Sequence, residues 1–217
     1  MDWELQLISL YVYICNQYQR HLWVYCQRFS PHVELSFTDE EVLCIYLFGI
    51  MEKRREIKEI YKYADRHLRP WFPRLPSYGG FVQRLNRLAD VFGPLLESLQ
   101  QDFPQTGVLR EIRLMDSMPI CIAHAKRSST ARVAAQIANK GYCSSKKMYY
   151  YGVKVHVLAL RRPAHVPLPD CIGLSPASEN DLSAFRQIAP QLQGGEIYLD
   201  KAYVDQALKQ DSKENQD

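Results

Sequence analysis

The sequence predicts an α+β protein: a helical first half, then a mixed sheet closed by an α/β-type crossover. Three observations carry this. Up to about residue 104 apolar residues recur at helical spacing, as Leu5, Ile8, Val12 and Cys15 do. Beyond Pro104 β-branched and aromatic residues crowd 110–122 (REIRLMDSMPICI) and 148–160 (MYYYGVKVHVLAL), which suits strands. A short strand candidate at 171–177, a helical pattern at 180–192 and a last strand at 196–203 follow. The order is therefore strand, strand, strand, helix, strand. At 217 residues there is chain enough for two folding units, with a boundary expected between 104 and 105.

In the first half, Thr38-Asp39-Glu40-Glu41 has the form of a capping box. Thr38 accepts from the amide at 41 while Glu41 reaches back, and a helix through Val42, Ile45, Tyr46 and Gly49 follows. Ile57, Ile60 and Ala64 mark another helix. The stretch 69–76 (RPWFPRLP) holds too many prolines for a helix interior and reads as an extended connector. Ser77 is placed to cap a further helix running through Phe81, Leu85, Leu88 and Phe92. That helix turns Gln83, Arg84, Asn86 and Arg87 outward. Arg84 and Arg87 are thus candidate DNA contacts in a helix-turn-helix-like unit, and equally the solvated face of an ordinary amphipathic helix.

The second half carries the chemistry. Asp116 follows Ile112 and Leu114 at strand spacing, in a row expected to face the core, where an ionised carboxylate needs a partner, a metal or solvent. Asp200 ends a strand bearing Ile197 and Leu199. A crossover helix returns the chain parallel to a strand already in the sheet. If the last strand lies beside the first, the two aspartates end neighbouring strands about 4.8 Å apart. Either aspartate alone reads as a turn residue. Together they suit divalent metal ions, since phosphodiester transfer uses two Mg²⁺ ions held by carboxylate oxygens.

The net charge is only +3, yet residues 117–169 contain nine lysines and arginines and no acid. Such a segment is either solvated or a phosphate contact surface, and the strict absence of acids favours the latter. Lys146, Lys147 and Lys154 are its candidate DNA contacts. His156 joins them, with a structural histidine as the alternative. The six cysteines form no Cys-x-x-Cys pair, so neither a zinc site nor a disulfide framework is expected. No apolar run reaches membrane-spanning length and no basic export signal opens the chain, so a cytoplasmic protein is expected.

Four motifs in order then resemble one family. Met115-Asp116-Ser117-Met118-Pro119 looks like the first-aspartate motif of bacterial insertion-sequence transposases of the DDE type. Tyr150-Tyr151-Gly152-Val153-Lys154-Val155-His156 is similar to the family's Tyr-Gly-x-Lys-x-His strand. Residues 175–181 (SPASEND) resemble the segment before its crossover helix, and Tyr198-Leu199-Asp200-Lys201-Ala202-Tyr203 its second-aspartate motif. The resemblance implies a ribonuclease-H-like core, Mg²⁺ (Mn²⁺ as the alternative) on Asp116 and Asp200, and double-stranded DNA at element ends as partner. It also implies a homodimer or association with a full-length transposase, near the bacterial nucleoid. The family's third ligand is a glutamate on a later helix, and the sequence given stops at Asp217. The expectation is therefore residues 1–104 as a helical DNA-binding region and 105–217 as a partial core, incomplete at its C-terminus. One sheet face would lack its covering helix and leave apolar surface exposed. The rival function is a non-enzymatic DNA-binding remnant, or an inhibitor of full-length enzyme. Ser178 and Asp181 read as a capping box, with Asp181 a cap and not a ligand.

Overall fold

In the computed structural model the chain divides into two compact units, Met1–Phe103 and Pro104–Asp217. Residues 2–26, 35–103, 108–144, 146–188 and 195–199 are described.

The first unit is helical: α1 (Trp3–Arg20), α2 (Asp39–Met51), α3 (Ile57–Tyr63), α4 (Tyr78–Arg87) and α5 (Phe92–Asp102). The Thr38 capping box forms as expected, with side chain and backbone of residues 38 and 41 exchanging hydrogen bonds. Helix α2 buries Val42, Leu43, Cys44, Ile45 and Phe48, which lie all round its axis, so it is the centre of the unit. Leu7 and Ile14 of α1, Ile60 of α3 and Phe81 and Leu85 of α4 pack in the same core. A single π-helical turn, Ala64–Leu68, extends α3.

The helix expected from Ser77 through Phe92 is two helices. Ser77 caps α4 by accepting from the Gly80 amide at 3.3 Å, but α4 ends at Arg87 and a 3₁₀ turn, Ala89–Val91, leads into α5. The break keeps Leu88, Val91 and Leu95 all in the core. Pro94 stands in the first turn of α5, where the amides of a helix have no intrahelical partner to lose.

The second unit is a five-stranded mixed sheet: β1 (Leu109–His124), β2 (Asn139–Cys143), β3 (Met148–Arg161), β4 (Leu168–Pro176) and β5 (Glu196–Leu199), with α6 (Asp181–Ile188) before β5. Strand β3 is central. One of its edges carries β1 antiparallel; the other carries β2 along 148–152 and β4 along 153–160. Strand β5 lies outside β1 and parallel to it, as the crossover requires.

Strand β2 is absent from the sequence reading. Asn-Lys-Gly-Tyr-Cys has no apolar alternation, and it is a strand because its backbone pairs with the edge of β3. Gly152 of β3 sits where a Cβ would stand 2.0 Å from the Ile120 carbonyl oxygen, so glycine alone fits the close approach of β1.

The sheet is covered by α6 on one face, and on the other only at one end of β3, where Tyr151 and Val153 pack with Ala138. Met115 and Leu158 pack against Phe185 of α6, with Cys171, Ile197 and Leu199 around them. The opposite face projects Met118, Ile120, Ile172, Leu174 and Tyr198, each at least 41% exposed within this unit. Asp116 stands in that second row. The expectation that it shares a core-facing row is corrected: the covered row of β1 is the odd one, led by Met115, because α6 packs on that side. Residue 178 does not form the expected box either. Asn180 caps α6 by accepting from the Leu182 amide at 3.0 Å, while Ser178 exchanges two hydrogen bonds with Asn139 of β2.

Candidate active site

Asp116 lies midway along β1, exposed, with Oδ1 accepting the Ser117 amide at 2.7 Å. That bond fixes the carboxylate's orientation. Its other oxygen takes no hydrogen bond or ion pair from a described residue. On β3 its partner is Val157. On the β5 side the last described pair of the parallel ladder is Met115 with Leu199, and each of these residues immediately precedes an aspartate in the sequence. Asp200 itself lies outside the described residues, as do Lys201 to Asp217.

Residues directly opposite in a ladder project to the same side, and neighbours along a strand alternate. Lys154 pairs with Pro119 and His156 with Ser117, so both share the α6 face, opposite Asp116. The polar side of β3 foreseen in the sequence is not a solvent face. His156 is 1% exposed. Its Nε2 is 2.8 Å from Ser175 Oγ, and Nδ1 is buried without a partner among the described residues. Burial lowers its pKa; Asp181 and Glu179 oppose that shift and the Lys154 charge adds to it. The Lys154 ammonium donates to Asp181 Oδ1 at 3.0 Å and to the Glu179 carbonyl at 2.7 Å. Asp181 is therefore an anchor for Lys154. Its role was missed because the partner lies 27 residues away.

Tyr150 went unremarked in the sequence as a possible site group. It is fully buried, its hydroxyl has no partner among the described residues, and burial pushes its pKa up to about 12. Its place in a run of three tyrosines gave no signal, because Tyr149 is exposed while Tyr150 and Tyr151 are buried on opposite faces of β3.

Lys146 and Lys147 stand exposed in the turn joining β2 to β3. Beside them Tyr142 and Tyr149 pair across the strands at 4.9 Å, and the Lys140 ammonium lies 5.0 Å from the Tyr149 ring. In the helical unit, Arg87 is exposed on α4. Arg84 is not, which corrects the expected outward face. Its Nη2 is 2.6 Å from Oδ1 of buried Asp39, Nη1 donates to the Phe37 carbonyl, and Tyr18 donates to the other Asp39 oxygen at 3.0 Å.

The donor chemistry of Asp116 fits a hard divalent cation: a solvent-reachable carboxylate with one oxygen uncommitted. One carboxylate is not a cage, and among the described residues no group of three His, Cys, Asp or Glu is arranged to hold a metal ion. No helix among the described residues is long and apolar enough to cross a membrane.

A family model described as a transposase DDE domain matches residues 106–216, which is the sheet unit almost entire. The chain belongs to the DDE transposase family. Its mixed sheet with a crossover helix is the α+β, ribonuclease-H-like arrangement of that family, and DDE transposases act on DNA and generally use divalent metal ions. No curated protein and no solved structure matches the chain.

Proposed function

We propose that Asp116 and Asp200 jointly hold a divalent ion, Mg²⁺ or alternatively Mn²⁺, against a phosphodiester of double-stranded DNA. One observation carries the reading: the parallel register that pairs Met115 with Leu199, one residue short of each aspartate. In a ladder that continues in step, the next pair is 116 with 200, on one face of the sheet. A divalent ion there supplies Lewis-acid stabilisation of charge on the phosphoryl oxygens and a lowered pKa for a bound water.

The chain's own groups do the rest. The Ser117 amide holds the Asp116 carboxylate in orientation. Lys146 and Lys147, free of described ion pairs at the tip of the β2–β3 turn, neutralise phosphates. Lys154 and His156, committed on the other face, hold β3, β4 and the start of α6 together.

Manganese titration of the purified chain, followed by electron paramagnetic resonance, tests the site. Binding by the wild type that is lost in both Asp116→Asn and Asp200→Asn is the expected result. Equal affinity in Asp116→Asn rejects the site. Cleavage of end-derived duplexes that survives Asp116→Ala rejects it too.

A further inference from the structure

A cavity of about 540 Å³ opens in the helical unit between the end of α2 and the α3–π turn, and four cations converge on it: Lys53, Arg54, Lys62 and Arg66. Glu52 and Glu59 also line it, leaving an excess of two positive charges with His67 neutral. We propose that this cavity is a binding site for DNA backbone phosphate, an assignment that rests on the DNA-acting reading above.

The charges are unspent. None of the four cations forms an ion pair or side-chain hydrogen bond with a described residue, whereas Asp65, the nearest acid in sequence to Arg66, is turned to Arg69 at 2.6 Å. Arg84, by contrast, gives its charge to Asp39 and is unavailable. Exposed cations that stay unpaired with glutamates at hand match a surface selected for an external anion better than one selected for internal neutralisation.

Arg54 is also pre-set. Its guanidinium carbon lies 4.0 Å from the centre of the Tyr63 ring, and its Nε is buried with no acceptor among the described residues. The ring holds the guanidinium in place, while its terminal nitrogens have no hydrogen-bond partner among the described residues. A guanidinium held over a ring with unmet terminal donors suits the tetrahedral oxygens of a phosphate, which it can meet in pairs.

The backbone supplies the geometry. Lys53 has a φ of 61°, a left-handed residue that ends α2 and turns the chain so that Arg54 folds back over α3. The π turn at Ala64–Leu68 widens the helix where Arg66 and His67 stand. Lys62 and Arg66, four residues apart and both exposed, then line the same side. The recognised chemistry is the sequence-independent phosphate, because no base-reading amide side chain lines the cavity.

The test is binding of the full chain to a 20-base-pair duplex of arbitrary sequence (about two helical turns) between 50 and 200 mM salt, roughly the range over which phosphate contacts separate affinities. Lys62→Ala/Arg66→Ala should lower the slope of log affinity against log salt by about 2 and weaken several duplex sequences equally. Both residues are exposed, so the thermal transition should not move. Arg54→Lys, which keeps the charge and loses the plane, should weaken binding while leaving the slope nearly unchanged. An unaltered slope in the double variant overturns the proposal, as does a wild-type chain that binds no duplex. Manganese binding at Asp116 is read separately, so a failed phosphate cavity and a failed metal site give different results.

Discussion

Replacing Arg84 with alanine separates two accounts of the helical unit. From the sequence, Arg84 stands on an outward face, as a DNA contact or simply as a solvated side chain. In the structure its side chain is 18% exposed and pairs with an Asp39 carboxylate that is 7% exposed. Removing one partner of a buried pair strands the other, at a cost of about 3–5 kcal/mol. Tyr18 still donates one hydrogen bond to Asp39, and burial raises the Tyr18 pKa so that its proton stays in place. The lower end, about 3 kcal/mol, is therefore expected. At roughly 4–8 °C per kcal/mol for a unit near 100 residues, Tm should fall by roughly 12–24 °C. Helical circular dichroism on heating measures this. A second substitution, Asp39→Asn, in the same background removes the charge that Arg84 neutralised and should recover part of the loss. A variant that melts like the wild type but binds duplex DNA with a salt slope smaller by about 1 would refute the reasoning and restore Arg84 to the DNA surface.

Two other outcomes follow from the covered face of β3. Lys154→Ala should destabilise the sheet unit by about 2 kcal/mol through loss of two charge-assisted hydrogen bonds, with the DNA salt slope unchanged. Lys146→Ala/Lys147→Ala should do the reverse, lowering the slope by about 2 with no change in denaturation midpoint; exchanged results would put Lys154 on phosphate. The His156 pKa is lowered in the fold from 6.5, so the unfolded chain takes up the proton first as pH falls. Stability is then fully present above about pH 6.5 and is lost below it, by up to about 1.4 kcal/mol per pH unit for one proton. Urea denaturation across pH 5–7.5 checks this (about the range in which a histidine titrates); His156→Gln should flatten that part of the profile, and an equally steep profile would remove His156 as its source.

Much of this protein was legible in the sequence by itself. The change from helical to strand period near Pro104 placed the two classes of structure, and Thr38 to Glu41 and Ser77 announced helix starts. Such signals are local: a period or a cap is written in residues a few positions apart, and neighbours elsewhere do not alter it. The crossover pattern at 180–192 likewise foretold that β5 returns parallel to a strand already in the sheet, because a crossover helix can return the chain in few ways; the structure makes that strand β1. The tertiary structure decided what depends on distant partners. Asp116 has apolar neighbours two residues away on its strand, yet α6 covers the other row. Lys154 and Arg84 look like free cations until Asp181 and Asp39 are brought to them across 27 and 45 residues. Strand β2 exists only because the edge of β3 offers it hydrogen bonds. Periodicity tells which residues share a face; which face is covered, and which charge is spent, is set by what packs against it.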